Sequence, residues 1–89
     1  MSDRELRRLL EKLRAEIEDA KSIDDSGRQL LRALDSDIHK LLERYDDRRQ
    51  ARSSIIGRLE EAIEQMEVAH PDLTATLSQM LSILSNAGI

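Results

Sequence analysis

Residues 71–89, PDLTATLSQMLSILSNAGI, indicate the fold of this chain more directly than any other stretch. Apolar side chains recur in it at alternating spacings of four and three residues, at Leu73, Leu77, Met80, Leu84 and Ala87. This spacing places them on one face of an α-helix, whereas a strand would need a period of two. Pro71 suits the first helical turn, and Gly88 suits the residue just beyond the last turn. We therefore expect a helix over about residues 71–87.

The same spacing of apolar residues begins near the N-terminus. Ser2 and Glu5 form a capping-box pattern, in which each side chain accepts a hydrogen bond from a main-chain amide at the helix start. The stripe that follows consists of Leu6, Leu10, Leu13, Ile17 and Ala20. After a break in which Asp24 or Asp25 can cap the next helix, a second stripe consists of Leu31, Leu34, Ile38, Leu41 and Tyr45. The short connection predicts that helices over about 3–21 and 25–50 form an antiparallel hairpin.

The polar stretch at residues 46–54 leaves two interpretations open. It contains neither Gly nor Pro, and Ser53 or Ser54 could cap a separate helix over about 54–69. Alternatively, one long helix passes through it, because the seam positions continue in phase at Tyr45, Arg48, Arg52, Ile55, Leu59, Ala62 and Met66. Arg48 and Arg52 are the two charged residues of the seams. Within a bundle they would need carboxylate partners and could fix register or oligomeric state.

Together the stripes predict an all-α fold with a single domain over residues 1–89. We expect an antiparallel bundle of three to four helices with coiled-coil-like heptad packing. Tyr45 is the only aromatic residue among the 89. Because aromatic side chains bury large areas, their scarcity leaves one chain with a thin core. We therefore expect a homo-oligomer, either a dimer or a tetramer.

The charge balance narrows the classes of partner. Charged residues make up 36% of the chain, and the net charge is −4, which argues against nucleic acid as a partner. The absence of cysteine excludes disulfides, thiolate metal sites and thiol nucleophiles. No stretch approaches the roughly 20 apolar residues that span a bilayer, and the charged N-terminus lacks the apolar run of a secretory signal. We therefore expect a cytoplasmic location.

The last helix differs from the others in its charge. Of the 32 charged residues, only Asp72 lies beyond residue 67. The polar side of this helix is instead neutral, and consists of Thr74, Thr76, Ser78, Gln79, Ser82 and Ser85. Such a helix suits burial on several sides, so we expect it to form an oligomer interface through Leu73, Leu77, Met80, Leu84 and Ile89. It lacks the Lys, Arg and aromatic residues typical of helices that lie on membranes, which argues against a membrane partner.

A Glu-x-x-His motif at Glu67 and His70 provides an alternative function. In di-iron four-helix bundles this spacing supplies two metal ligands on one helical face, and Glu64 lies one turn earlier. Such a site also needs inward-facing acids on neighbouring helices, whereas the seams here are aliphatic. His70 precedes a proline at a helix end, where capping or packing explains it more simply.

Two further groups of polar residues have alternative interpretations. His39 lies one turn after Asp35, a pair that could serve acid–base chemistry but is more typical of a helix surface. Lys40, Arg44, Arg48 and Arg52 form a basic stripe, so the Arg44–Arg58 region could bind an anion or nucleic acid. The acids interleaved with this stripe weaken its field, and a salt-bridged surface is the simpler interpretation.

The two ends of the chain resemble those of a known family. The segment from Met1 to Glu18, and still more the motifs HPDLT at residues 70–74 and LSNAGI at residues 84–89, resemble a family of short bacterial helical proteins of unknown function. The resemblance covers nearly the whole chain. It implies a cytoplasmic, bacterial, helical protein and supplies no catalytic residue, ligand or partner.

These observations predict a non-enzymatic, homo-oligomerising helical module that binds another protein, with no cofactor. A metal-dependent enzyme based on the Glu-x-x-His motif and an anion-binding protein remain the alternatives. The sequence does not identify the partner or the process.

Overall fold

The structure is a computed structural model that describes the main chain of residues 2–43 and 48–86 and the side chains of residues 4–43 and 52–86. It has four helices in the order α1 (Ser2–Asp19), α2 (Asp25–Glu43), α3 (Arg48–Met66) and α4 (Pro71–Asn86). The described residues contain no strand. The all-α prediction is therefore confirmed.

The four helices form a ring in which each packs against two others. Among the described residues, α1 lies beside α2 and α4, and α3 lies beside α2 and α4, while the backbones of the diagonal pairs are farther apart. Short connections between side-by-side helices make successive helices antiparallel. The result is an up-down-up-down bundle that measures 36 × 20 × 19 Å.

The centre of the bundle is built from the apolar stripes of all four helices. Among the described residues, nineteen hydrophobic side chains are buried there, and each is Leu, Ile, Met or Ala. They include every seam residue from Leu6 to Ile17, from Leu31 to Leu41, from Ile55 to Met66 and from Leu73 to Leu84 that the spacing pattern identified. The period of 3.6 residues therefore predicted the inward face of each helix correctly.

Polar groups at the helix ends satisfy main-chain atoms that the helices leave unpaired. Asp24 caps α2, since its Oδ1 atom accepts a hydrogen bond from the amide of Gly27 at 2.8 Å. Arg28, which lies in α2, donates to the carbonyls of Ile17 and Ala20 at 3.2 and 3.1 Å, and so completes the end of α1. The carbonyl of His70 accepts a hydrogen bond from the amide of Thr74 at 3.0 Å, so His70 is the N-cap residue that precedes α4.

The middle of the chain differs from the boundaries predicted from sequence. α2 ends at Glu43 instead of near residue 50, and α3 begins at Arg48 instead of near residue 54. The two helices pack side by side, and Arg58 of α3 pairs with Asp37 of α2, so they are not one continuous helix. Arg48–Ser54 is helical because its residues follow the seam phase of α3 and include neither Gly nor Pro.

Salt bridges on the surface link the helices of the hairpin. Nε of Arg14 in α1 lies 2.9 Å from Oδ1 of Asp35 in α2. The hydrogen bond and the negative charge of Asp35 raise the pKa of Arg14.

None of the four helices, within the described residues, has the length and apolar content needed to cross a membrane.

The two glycines inside helices provide a matched test of packing. A methyl group at Gly57 would meet nothing within 4 Å, whereas one at Gly27 would lie 2.7 Å from Cε of Met66 and 3.1 Å from Ile23. We expect Gly57→Ala to stabilise the fold by about 1 kcal/mol, because alanine favours a helix interior. We expect Gly27→Ala to destabilise it by about 1 kcal/mol through overpacking.

Urea denaturation of both variants beside the wild type measures these changes. Equal stabilisation by the two substitutions would show that the α2–α3 contact at Gly27 is looser than the structure describes.

Candidate functional site

The residues predicted to form an oligomer interface lie inside the bundle of one chain. Leu73, Leu77, Met80 and Leu84 are each 3% exposed or less. A second chain could not contact them unless the bundle opened, so any docking surface on α4 must be built from their neighbours. Ile89, the fifth residue of that hypothesis, lies outside the described residues.

The polar seam is described at one of its two positions. Arg52 is half-buried on α3, next to Ile55 along the seam. The side chain of Arg48 lies outside the described part, as do the side chains of Arg44 and Arg49. Within the predicted anion-binding region, Arg58 pairs with Asp37 on α2. The described portion of this region is therefore partly neutralised by salt bridging.

His39 and His70 have partners different from those the spacing indicated. Nε2 of His39 lies 3.3 Å from Oε2 of Glu43, one turn later, while Asp35 binds Arg14. This histidine–carboxylate pair is exposed on the outside of α2. Its position is that of an ordinary pair of surface residues on one helix.

His70 lines a cleft at the end of the bundle where α1 ends and α4 begins. The cleft has a volume of about 290 Å³ and is lined by Glu16, Asp19, Ala20, Ala69, His70, Pro71, Asp72 and Leu73. Glu64 and Glu67 are exposed and do not line it. Within the described part of the chain, no three His, Asp or Glu side chains are close enough to share a metal ion. The described side chains of one chain therefore do not gather a set of metal ligands around the Glu-x-x-His motif.

Beside this cleft, a buried hydroxyl connects α1 to α4. Thr76 is fully buried, and its Oγ1 lies 2.7 Å from Oε1 of Glu16 and 3.3 Å from the carbonyl of Asp72. The spacing pattern places Thr76 on the polar side of the last helix, and this residue is buried because α1 covers that side of α4. A hydrogen bond from a buried hydroxyl to a carboxylate fixes the position of α4 along α1.

We expect Thr76→Val to destabilise the protein by about 1–2 kcal/mol, because it removes the hydrogen bond to a charged carboxylate while keeping the side-chain shape. Thr74→Val is the matched control. The hydroxyl of Thr74 bonds only the carbonyl of His70 in its own helix, at 3.0 Å, so its loss should change stability by less than about 0.5 kcal/mol. Thermal and urea denaturation measure both effects. Equal losses would show that the link to Glu16 contributes nothing specific.

The surface between α3 and α4 combines apolar and acidic side chains. Arg58 marks the α2 side of α3, and Thr76 marks the α1 side of α4. Residues on the opposite side of α3 from Arg58, and on the opposite side of α4 from Thr76, therefore lie where α3 and α4 meet. We call this surface the α3–α4 face, and it consists of Ile56, Glu60, Ile63, Glu64 and Glu67 with Thr74, Ser78, Leu81 and Ser85.

Exposure differs among the members of the α3–α4 face. Its three aliphatic residues, Ile56, Ile63 and Leu81, are half-buried and pack against the core. Glu60, Glu64 and Glu67 are exposed along its α3 edge, while its α4 edge is neutral. At one end of the face, in the turn before α4, Val68 is 90% exposed. The face therefore has an apolar floor with acids along one side.

Lys and Arg are absent from residues 59–89. All 14 Lys and Arg residues lie at or before Arg58, and the five charged residues beyond it are acidic. The acids near the end of α3 also lie at the negative end of the helix dipole, and its last turn has no basic residue. Glu60 and Glu64, four residues apart, repel each other on the same helix. These acids therefore weaken α3, so the stability of the helix does not explain their presence.

The sequence contained part of the signal for this face. The spacing pattern shows the neutral polar side of the last helix, but it does not show that the acidic half of the preceding helix adjoins it. That connection depends on which sides of two helices adjoin, and the spacing along one helix does not contain this information.

We expect Glu64→Lys to stabilise the fold by about 0.5 kcal/mol at low salt, because it removes repulsion from Glu60 and places a cation near the helix C-terminus. Glu11→Lys is the matched control with the same change of charge. Glu11 lies in the middle of α1, four residues after Arg7 and three before Arg14, so its replacement should destabilise the fold by a similar amount. Denaturation with and without added salt measures both, and a loss of stability in Glu64→Lys would contradict the argument.

The described residues form a small four-helix bundle with an aliphatic core and a face along which Glu60, Glu64 and Glu67 are exposed. The chain belongs to the family described as a domain of unknown function, DUF4404, which matches residues 6–89. No curated protein and no solved structure matches it.

Proposed function

We propose that this protein is a non-enzymatic helical module that acts by binding another protein chain. The observation that supports this function most strongly is the α3–α4 face. It exposes parts of three aliphatic side chains next to acids that weaken their own helix. Surfaces that combine apolar anchors with an unbalanced charge are typical of recognition sites.

The geometry favours binding over the two alternatives from sequence. In the described part of the chain, His70 shares its cleft with Glu16, Asp19 and Asp72, and not with the Glu-x-x-His carboxylate. Arg58 is engaged with Asp37, which removes one cation from the predicted anion site. Neither arrangement supplies an observation comparable to the α3–α4 face.

Self-association belongs to this proposal as one form that binding could take. The composition predicts a dimer or tetramer because of a thin core. One chain, however, buries nineteen aliphatic side chains of its own, so the fold does not need a second copy to complete its centre. We therefore place binding of a partner at the α3–α4 face ahead of assembly.

Site-specific photo-crosslinking tests the proposal in the source cell. A benzophenone amino acid in place of Ser78, which is exposed on the α3–α4 face, should give a covalent adduct with one or a few protein partners. The same amino acid in place of Ser36, which is exposed on α2, is the matched control and should give none of these adducts. Gel mobility and mass spectrometry identify the products.

Two outcomes of this experiment decide the proposal. Absence of any adduct from position 78, with the variant expressed and folded, would overturn protein binding at this face. An adduct that contains two copies of this chain would show that the partner is the chain itself, in agreement with the prediction of a homo-oligomer.

A further inference from the structure

We infer that the α3–α4 face binds an amphipathic helix of another protein that carries Lys or Arg beside its apolar stripe. This inference rests on the proposed function and adds the chemistry of the partner. It follows from the shape of the face, the sign of its charge and the state of this chain's own cations.

The shape of the face suits a helix. α3 and α4 are antiparallel neighbours, so the surface between them is a shallow groove that follows the bundle axis. Ile56 and Ile63 lie seven residues apart on α3, which is two helical turns, and Leu81 lies on the opposite wall. A helix laid in the groove would contact these residues with side chains spaced at three, four and seven.

The charge of the α3–α4 face specifies which charged residues the partner helix needs beside its apolar stripe. Glu60, Glu64 and Glu67 lie along one edge, and α4 contributes no charge except Asp72 at its start. Arg52, one turn before Ile56 on α3, is half-buried at the opposite end of the groove, and beyond Arg58 neither wall carries a Lys or Arg. Complementary potential therefore requires cations on the partner, which also speed association and exclude acidic competitors.

A second copy of this chain fits the face poorly. Two α3–α4 faces placed together would bring six glutamates into one interface, against which the described part of each face offers Arg52 alone as a cation, and that residue is half-buried. Elsewhere on the chain, Arg14 and Arg58 are engaged with Asp35 and Asp37, and Arg28 holds the end of α1. These three arginines could reach a second copy's face only by giving up those contacts, and a contact through the exposed Arg8, Lys12 or Lys40 would be head-to-tail instead of symmetric.

A synthetic peptide provides the probe for a direct test. We choose a fluorescein-labelled amphipathic peptide of about 18 residues, about 27 Å long as a helix, with leucines at three–four spacing and lysines elsewhere. Its counterpart with glutamate in place of lysine is the first control. Fluorescence anisotropy should show binding of the lysine peptide to the protein and none of the glutamate peptide.

Two protein variants with equal charge changes locate the binding surface. Glu60→Lys/Glu64→Lys should weaken binding of the lysine peptide at least about tenfold, because it reverses the charge of the groove edge. Glu11→Lys/Glu18→Lys changes two exposed acids of α1 by the same total charge and should leave binding within about twofold. Amide shifts in a ¹⁵N-labelled protein should change along α3 and α4 in the wild type.

Each remaining outcome overturns the inference. Equal weakening by both double variants would show attraction to net charge and no specific face, and so would shifts spread over all four helices. If position 78 crosslinks to a partner but the lysine peptide does not bind, the basic helix is wrong while the proposed function stands. If the crosslinked partner is a second copy of the chain, the partner inferred here is likewise wrong.

Discussion

Every helix of this protein must turn one narrow aliphatic stripe toward the same centre, because the hydrophobic core of the described residues consists of Leu, Ile, Met and Ala. None of these described core residues is aromatic, so no large ring among them compensates for a helix that is displaced. The helices therefore approach each other closely, as at Gly27 of α2, where an added methyl group would lie 2.7 Å from Met66 of α3. The few buried polar contacts then determine alignment: Thr76 with Glu16 sets α4 against α1, and Arg28 joins the end of α1 to α2. The core supplies stability, while these contacts supply register.

The helical period predicted which residues face inward but not which helix covers them. Leu73, Leu77, Met80 and Leu84 were assigned to an oligomer interface because a buried stripe looks the same whether its partner belongs to the same chain or to another. The structure covers them with the chain's other helices. The same limit explains Thr76, a polar residue at the boundary of the stripe whose burial depends on the proximity of α1. It also explains His70, whose neighbours Glu16 and Asp19 are far away in sequence.

The helix boundaries in the middle of the chain show a related limit. A seam that continues in phase through residues 46–54 is compatible with one helix or with two whose stripes happen to share a frame. Packing decides between them, because α3 lies beside α2, and Ile55, Leu59, Leu34 and Ile38 are buried in one common core. A continuous helix would have left both stripes to be covered by another chain. The gain from burying them locally, about 1.5–3 kcal/mol per large aliphatic side chain, explains why the hairpin forms.

The acids on α3 are tolerated by the fold but are not required by it. Glu60 and Glu64 repel each other, and Glu64 and Glu67 lie at the negative end of the helix, so the bundle would be more stable without them. These acids lie beside the half-buried Ile63 and Leu81, and their charge is unfavourable for their own helix. Such an arrangement is consistent with an interface whose charge is balanced only when a partner is bound. Under the proposed function, binding and stability make opposite demands on the same residues. A variant that stabilises the bundle while it weakens the partner complex would separate the two, since damage to the fold could not explain the lost binding.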